Sequence, residues 1–271
     1  MRNTLKPKTL LPMCLIVLLA GLTAAVAQTT PQAAVAQTTP QAAVAQTTPQ
    51  AALPSVDQIL DKYVKAIGGK AAIEKPTSRV SKGTFEMDQM PGPAAEEIDA
   101  KAPNKEYMVT DSPSFGQVRR GFNGAVGWED NPQAGLRDIT GPELAAMKRD
   151  ADFYGAIKLK DLYPKLTVKG KESVNGHDAY VIEATPPDGA AETMYFDADS
   201  GLLVRTLREG EGPNGKVTFD ITFGDYREVD GIKLPFLMHF SMGDFTFAIK
   251  LSEVKHNVPI DDAKFDKPAS Q

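Results

Sequence analysis

Apolar and polar residues alternate along almost the whole stretch Lys216–Leu251. A period of two residues is typical of a strand with one buried face and one face in water. The alternation is interrupted at Asp230-Gly231 and at Gly243-Asp244, and Asp-Gly is a strong hairpin signal. The pattern therefore predicts three antiparallel strands in a meander. Their shared apolar face carries six phenylalanines, two methionines and aliphatic residues: Val217, Phe219, Ile221, Phe223, Phe236, Met238, Phe240, Met242, Phe245, Phe247, Ile249 and Leu251.

The folded part begins with an amphipathic helix near Leu53. Ser55 and Gln58 have the spacing of a capping box, and apolar residues follow at helical intervals as far as Ile67. Gly68-Gly69 ends this helix, and a short helical turn is expected over residues 70–74.

Short strands then dominate, separated by turn dipeptides such as Asn-Gly, which indicates an antiparallel sheet. One longer helix interrupts them; it begins at Thr140-Gly141-Pro142-Glu143 and runs through Leu144 and Met147 towards Tyr154. Before the meander, strands are predicted at Arg79–Asp88, about Glu97–Thr110, Gln117–Phe122, Val126–Glu129, Leu166–Glu172, Ala179–Ala184, Glu192–Phe196 and Leu202–Arg208.

Residues 1–27 have the three parts of a cleavable signal peptide: basic residues, an apolar core and the cleavage sequence Ala25-Val26-Ala27. Residues 25–51 are three copies of one nine-residue sequence, which predicts a disordered linker over residues 28–52. Each copy repeats the cleavage signal, so the mature chain could start at Gln28, Gln37 or Gln46. Residues 53–271 are predicted to form a single domain in the periplasm.

Charge and cysteine content exclude several classes of function. The chain has 30 basic and 35 acidic residues. Removal of the three basic residues of the signal peptide leaves a net charge of about −8, which argues against a nucleic-acid binder. The only cysteine, Cys14, lies in the signal peptide, so the mature domain is expected to have no disulfide and no thiol nucleophile. No apolar stretch of about 20 residues follows the leader, so no membrane span is expected in the mature protein.

Motifs for metal binding or catalysis are weak throughout the chain. Three histidines, at positions 177, 239 and 256, lack the spacing of a metal site, and the acidic turn 197–201 returns to strand too soon for a calcium loop. The carboxylates Asp225, Glu228 and Asp230 lie at an exposed strand end, and no Gly-x-Ser-x-Gly sequence is present. Trp128 is expected in the core rather than in a sugar-stacking platform. We therefore expect no enzyme activity, no metal and no cofactor.

These elements predict a mainly β (α+β) fold: a strongly curved antiparallel sheet of about ten strands, forming an open half β-barrel. Only two helices, the N-terminal helix and the internal lid helix, are available to cover its apolar face, so the sheet must curl. A barrel that its own side chains do not fill leaves a cavity for a slender apolar ligand.

Three blocks of sequence resemble the bacterial outer-membrane lipoprotein-sorting proteins, which belong with the LolA and LolB localisation factors. The blocks are Tyr63–Gly69 with Lys82–Glu86, Tyr195–Arg205 and Asp225–Pro235, and the resemblance extends over about residues 55–268. It implies an unclosed antiparallel barrel with helices over its mouth and a role as carrier or receptor for acyl chains in the periplasm. The family's lid-locking arginine is not assigned; Arg79, Arg119, Arg120 and Arg205 are candidates.

The sequence thus predicts a periplasmic, non-enzymatic binder of lipid acyl chains or lipoproteins that acts in outer-membrane lipoprotein sorting or lipid transport. Expected partners are lipids or lipoproteins and candidate inner- and outer-membrane proteins, with transient membrane contact, no nucleic acid and a monomeric state. The alternatives are an envelope-stress sensor or protein-binding domain of the same fold, and a hydrolase with an unrecognised site. The predicted ligand-binding residues are Phe219, Ile221, Phe223, Phe236, Met238, Phe240, Phe245 and Phe247 of the meander, with Leu144 and Met147 of the lid helix.

Overall fold

A computed structural model describes residues 52–88, 90–212 and 215–269 of the chain. The predicted signal peptide and nearly all of the predicted linker lie outside these residues. The domain boundaries given above therefore stay predictions.

The described residues form four α-helices, two 3-10 turns and thirteen strands, each kind numbered in chain order. The helices are Val56–Ala66 (α1), Lys70–Ile73 (α2), Gly141–Asp150 (α3) and Leu159–Leu162 (α4), with 3-10 turns at Gly155–Ile157 and Asp262–Phe265. The strands are Ser78–Met87 (β1), Ala94–Lys101 (β2), Lys105–Ser112 (β3), Gly116–Phe122 (β4), Gly127–Asn131 (β5), Gly135–Ile139 (β6), Lys165–Val174 (β7), His177–Thr185 (β8), Glu192–Asp197 (β9), Leu203–Gly212 (β10), Gly215–Val229 (β11), Ile232–Met242 (β12) and Phe245–His256 (β13).

All of these strands belong to one antiparallel sheet. Strands that are adjacent in the sheet are also consecutive in sequence, with one exception. Strand β1 pairs with β13, which brings the two ends of the domain together in the middle of the sheet. In the described part of the chain, β6 and β7 are the two edges and do not pair with each other. The predicted fold class, an open antiparallel sheet with a few helices, is confirmed.

The number of strands differs from the prediction. The stretch predicted as one strand, about Glu97–Thr110, is two strands joined by a turn at residues 102–104, where Pro103 has no N–H for a ladder bond. Strand β6 was not predicted, because its five residues carry only two apolar side chains. The lid helix α3 ends at Asp150, and a 3-10 turn and α4 follow it.

The N-terminal helix begins and ends where the sequence predicts. Ser55 Oγ accepts from the N–H of Gln58, and Gln58 Oε1 accepts from the N–H of Ser55, which completes the capping box. At the other end a Cβ on Gly68 would lie 2.1 Å from the carbonyl oxygen of Gly231, and the N–H of Lys233 donates to the carbonyl of Ile67. Gly68 therefore lets α1 rest directly on the turn between β11 and β12.

The face of the sheet against which α1 packs is called the inner face here. Directly paired residues of antiparallel strands lie on the same face, so the register traces this face across the sheet. Ile182 and Met194 belong to the buried core beneath α1 and lie in one transverse row that crosses eight strands. The row consists of Val168, Ile182, Met194, Thr206, Ile221, Phe240, Phe247 and Met87.

The opposite face is covered around β2–β5 by the C-terminal segment. Trp128 is buried there and its Nε1 donates to the carbonyl of Phe265, which is also buried. Lys264 donates to Glu97 at 2.7 Å and bonds to the buried Asp99. The prediction that Trp128 lies in the core is confirmed.

Candidate functional site

A ladder of aromatic rings lies on the inner face at the end of the strands that the helices leave open. The rings of Phe240 and Phe247 stack with centroids 4.5 Å apart, and Phe85 lies 4.9 Å from Phe247. All three side chains are half-buried, and Phe245 nearby is 56% exposed. Contiguous exposed apolar surface on a soluble domain commonly marks a binding site.

Seven of the ten predicted ligand-binding residues share this face by register. Phe223 pairs with Met238, Ile221 pairs with Phe240, and Phe240 pairs with Phe247. Phe219 and Phe245 lie in the next row, both opposite Met242. The structure adds Phe85 and Met87 of β1, which pair with Ile249 and Phe247. That these residues bind a ligand stays a prediction; the structure brings them together.

Phe236 is placed differently from the other rings. It is buried beneath the guanidinium of Arg227, whose central carbon lies 4.6 Å from the ring centre. On the partner strand Asp225 has a positive φ of 47°, and Phe223 and Tyr226 line the same cavity although they lie three positions apart. The alternation along β11 is therefore interrupted at Asp225, and Phe236 differs from the half-exposed rings of the ladder in being buried under Arg227.

The two predicted residues of the lid helix contact another part of the sheet. Met147 is buried with Phe122 and Ile139, and Leu144 packs beside them. A Cβ on Gly127 would lie 2.8 Å from Met147 Sδ, so the missing side chain at Gly127 makes room for the methionine. Leu144 and Met147 therefore pack against β4–β6, and three strands separate β4 from β13 in the sheet.

Ion pairs hold both ends of α3. Near its N-terminus, Glu143 accepts from Arg137 of β6 at 2.8 Å and pairs with Arg120 of β4 at 3.1 Å. At its C-terminus, Arg149 pairs with Glu192 of β9 and Asp150 pairs with Arg208 of β10. Since seven strands lie between β4 and β9 in the sheet order, α3 spans the inner face as a strap.

The C-terminal end of this strap is buried. The side chains of Arg149 and Glu192 are 10% and 6% exposed, and the hydroxyl of Tyr163 donates to Glu192 at 3.0 Å. Burial raises the pKa of Tyr163 well above its usual range, and the Glu192 carboxylate adds to this effect. Neither Arg149 nor Arg208 was among the arginines considered from the sequence, because their partners lie far away along the chain.

The four candidate arginines have different positions. Arg120 contacts α3 through Glu143, as described above, whereas Arg119 and Arg205 pair with Asp130 and Asp220 on the opposite face. Arg79 lies on the inner face in a row with His256 and Ala100. Arg120 is thus the one of the four that binds the strap within the described residues.

A cavity of about 150 Å³ lies between the helices and the inner face. Its walls are mainly aromatic and aliphatic, and Phe223 connects it to the ring ladder through its pairing with Met238. Residues that line it include Tyr63, Phe153, Phe223, Tyr226, Arg79 and His256.

A more open groove of about 490 Å³ runs along the opposite side of the same strands. Its lining residues include Glu86, His239 and Lys250 together with Phe240 and Phe247, and Glu86 pairs with Lys250 at 2.5 Å. This wall is more polar than that of the cavity beneath the helices, so it is less suited to an apolar chain.

Within the described residues, no group of three histidine, cysteine or acidic side chains could hold a metal ion. His256 Nδ1 lies 3.0 Å from Asp230.

The acidic turn at residues 197–201 is held by hydrogen bonds of its own. Asp197 accepts from the N–H and hydroxyl of Ser200, and Gly201 has a φ of 78°. The acidic turn is thus a tight hairpin. Among the helices that the structure describes, none has the length and apolar character needed to cross a membrane.

Comparison with known proteins identifies the fold. No family model matches the sequence, and no curated protein matches it either. A DUF1329 family protein from Desulfovibrio piger has a similar structure, with 18% sequence identity, a TM-score of 0.53, and coverage of 78% of this chain and 97% of its own. A LolA superfamily protein from Nitrosomonas europaea covers 79% of this chain and 99% of its own, at 12% identity and a TM-score of 0.51. The chain has a LolA-like fold.

A third similar structure agrees with this assignment. A domain from Vibrio parahaemolyticus, named for outer membrane lipoprotein sorting, matches 77% of this chain and 96% of its own with 13% identity and a TM-score of 0.51. At these identities the similarity establishes the LolA-like fold of the chain and leaves its ligand to be argued from its own residues.

Proposed function

We propose that this protein is a periplasmic, non-enzymatic binder or carrier of lipid acyl chains or of lipoproteins, which acts in outer-membrane lipoprotein sorting or lipid transport. The half-exposed ladder of Phe85, Phe247 and Phe240 on the inner face carries this proposal. The LolA-like fold and the leader sequence, which lies outside the described residues, support it.

The physical argument concerns apolar area. Transfer of apolar surface out of water contributes about 25 cal/mol per Å². An extended acyl chain laid on the ladder would cover the rings on one side and bury its own methylenes on the other. Met238, Met242 and Met87 border the rings, and flexible methionine side chains adapt to chains of different shape. Such a face binds an acyl chain without requiring a reactive group.

The proposal includes several absences and partners that follow from this role. The protein acts without a cofactor or metal, as a monomer, and contacts membranes only transiently. It receives its ligand from, and delivers it to, proteins of the inner and outer membranes. Residues 53–271 are the ligand-binding domain, and residues 28–52 are a linker between this domain and the signal peptide, which is removed by cleavage.

Removing two rings of the ladder should weaken binding without unfolding the protein. In Phe240→Gln/Phe247→Gln, we expect the dissociation constant for a dansyl-labelled undecanoic acid to rise at least about tenfold. The bound ligand no longer covers the two rings, so binding loses roughly half of the transfer free energy of two phenylalanine side chains. Both side chains are already half exposed, so the cost in stability is small. Fluorescence titration measures the affinity, and urea unfolding measures the stability.

The matched control changes two neighbours that point to the other face. His239→Gln/Thr246→Gln alters the same two strands, and both residues are exposed. Equal affinities of the two double variants would contradict binding on the inner face. Steady release of acid from a p-nitrophenyl acyl ester would contradict the non-enzymatic role.

A further inference from the structure

Arg79 has an unusual environment for an arginine. It lies on β1, lines the cavity of about 150 Å³, and holds its guanidinium 5.7 Å from the ring of Phe153. The residue is partly accessible, yet desolvation lowers the pKa of its guanidinium, an effect that the charge of Glu106 opposes. A guanidinium that faces an internal cavity rather than open solvent accounts for both the partial accessibility and the desolvation.

The charge of Arg79 is not matched by an ion pair. Each of the other seven arginines in the described residues has a carboxylate oxygen within 4.0 Å, and they are Arg119, Arg120, Arg137, Arg149, Arg205, Arg208 and Arg227. Among the side chains that the structure describes, none forms an ion pair or hydrogen bond with Arg79; Glu106 acts on it only through its charge. Glu106 is two strands away, on β3, which corresponds to about 9 to 10 Å between backbones.

The cavity itself favours an anion. The residues that line it include Arg79, Lys233 and His256 and no aspartate or glutamate. A desolvated cation without an ion-pair partner is costly, and a carboxylate that accepts two N–H bonds from a guanidinium is its best-matched ligand. The volume corresponds to only a few water molecules, which suits a carboxylate rather than a large headgroup.

Phe223 joins this cavity to the ring ladder. It lines the cavity and pairs with Met238, which pairs with Ile249, which in turn pairs with Phe85. A single-chain ligand with its head at Arg79 can therefore extend its chain along one continuous apolar row.

We infer that this cavity is the headgroup subsite of the acyl-chain site and that Arg79 binds the carboxylate of a free fatty acid there. The inference rests on the proposed function and adds the chemical class of the ligand. Arg79 would act as a specificity residue that distinguishes an acid from an uncharged amphiphile of equal chain length.

The test compares laurate with 1-dodecanol on the full mature protein by isothermal titration calorimetry. For the unchanged protein we expect laurate to bind at least about tenfold more tightly, since a charge-assisted bidentate bond is one of the stronger polar contacts. Arg79→Met should lose this preference and bind both ligands with the affinity of the alcohol. The Glu106 carboxylate loses its attraction to Arg79 in this variant, so thermal unfolding is measured alongside to show that Arg79→Met is folded.

Arg205→Met is the control, since Arg205 lies on the opposite face in a pair with Asp220, and it should keep the preference for laurate. Equal binding of laurate and dodecanol to the unchanged protein would overturn the role of Arg79 and leave the acyl-chain proposal standing. Binding of neither ligand would overturn both. The comparison on the unchanged protein decides the matter even if Arg79→Met does not fold.

Discussion

Arg149→Met is expected to lower the free energy of unfolding by about 3 kcal/mol, as is typical when one partner of a buried ion pair is removed. The Glu192 carboxylate would remain buried with the hydroxyl of Tyr163, and the nearest remaining cation, Arg208, lies 4.0 Å away. The C-terminal end of α3 would also lose its contacts to β9 and to Asp188. Equilibrium unfolding in urea, followed by tryptophan fluorescence and circular dichroism, measures the change.

Two further variants make this result specific. Arg149→Met/Glu192→Gln also removes the buried, unpaired charge of the Glu192 carboxylate and should recover much of the lost stability. Lys255→Met breaks an exposed pair with Glu253 and should change stability by less than about 1 kcal/mol. If Arg149→Met costs no more than Lys255→Met, the junction between α3 and β9 does not stabilise the fold as described.

Glu96→Gln should make the protein more stable at pH 8 and change little at pH 4. Glu96 is 3% exposed on the inner face; Thr110 donates to its Oε2 at 2.7 Å, and none of the described groups bonds its Oε1. Burial raises the pKa of this carboxyl from 4.5 to about 7, although the bond from Thr110 opposes the shift. The folded protein therefore holds this proton more tightly than the unfolded chain does.

The sign of the pH dependence follows from that difference. The stabilising effect of the proton is complete below pH 4.5, declines as the pH rises between 4.5 and 7, and is lost above the folded-state pKa. The total amounts to about 3 kcal/mol for a difference of this size. Glutamine cannot ionise, so the stability of Glu96→Gln relative to the unchanged protein should increase by about that amount from pH 4 to pH 8.

Urea unfolding at several pH values measures this relative stability, so that other titrating groups cancel. Glu209→Gln, at an exposed position, is the control for the loss of one carboxylate. A difference between Glu96→Gln and the unchanged protein that stays constant from pH 4 to pH 8 would show that Glu96 ionises as readily in the folded state as in the unfolded chain.

Local patterns were enough to predict most of the residues that share the inner face of the meander. Alternation in β11, β12 and β13 places Phe219, Ile221 and Phe223 on one face, and neighbouring strands joined by tight turns keep that alternation in register. The capping box of α1 and the glycines after it depend only on nearby residues in the same way. These features are predictable because the interactions that determine them span a few residues.

Long-range contacts account for what the sequence could not provide. Phe85 and Met87 lie beside the rings of the meander because β1 pairs with β13, a strand that lies at the other end of the domain in sequence. Met147 packs against β5 because Gly127 has no side chain, a match that no periodicity reveals. The pair Arg149–Glu192 joins residues 43 positions apart, and only the folded chain shows that both are buried.

Interruptions of regular geometry explain the remaining difference at the site. Alternation along β12 places Phe236 with Met238 and Phe240, but Phe236 is buried under Arg227, beside the positive φ at Asp225 that interrupts the neighbouring strand. Aspartate tolerates this conformation better than most residues, yet an Asp in a strand end does not by itself predict it.

Photo-cross-linking with a fatty acid that carries a diazirine on its chain tests the central claim most directly. The mature protein is irradiated with the bound probe, digested, and the labelled residues are identified by mass spectrometry. We expect labels on the inner-face positions Phe85, Phe240 and Phe247 and their neighbours, with excess unlabelled fatty acid abolishing them. Labels concentrated on His239, Thr222 and other residues of the opposite face would contradict an acyl-chain site on the inner face. So would labelling that excess unlabelled fatty acid does not reduce.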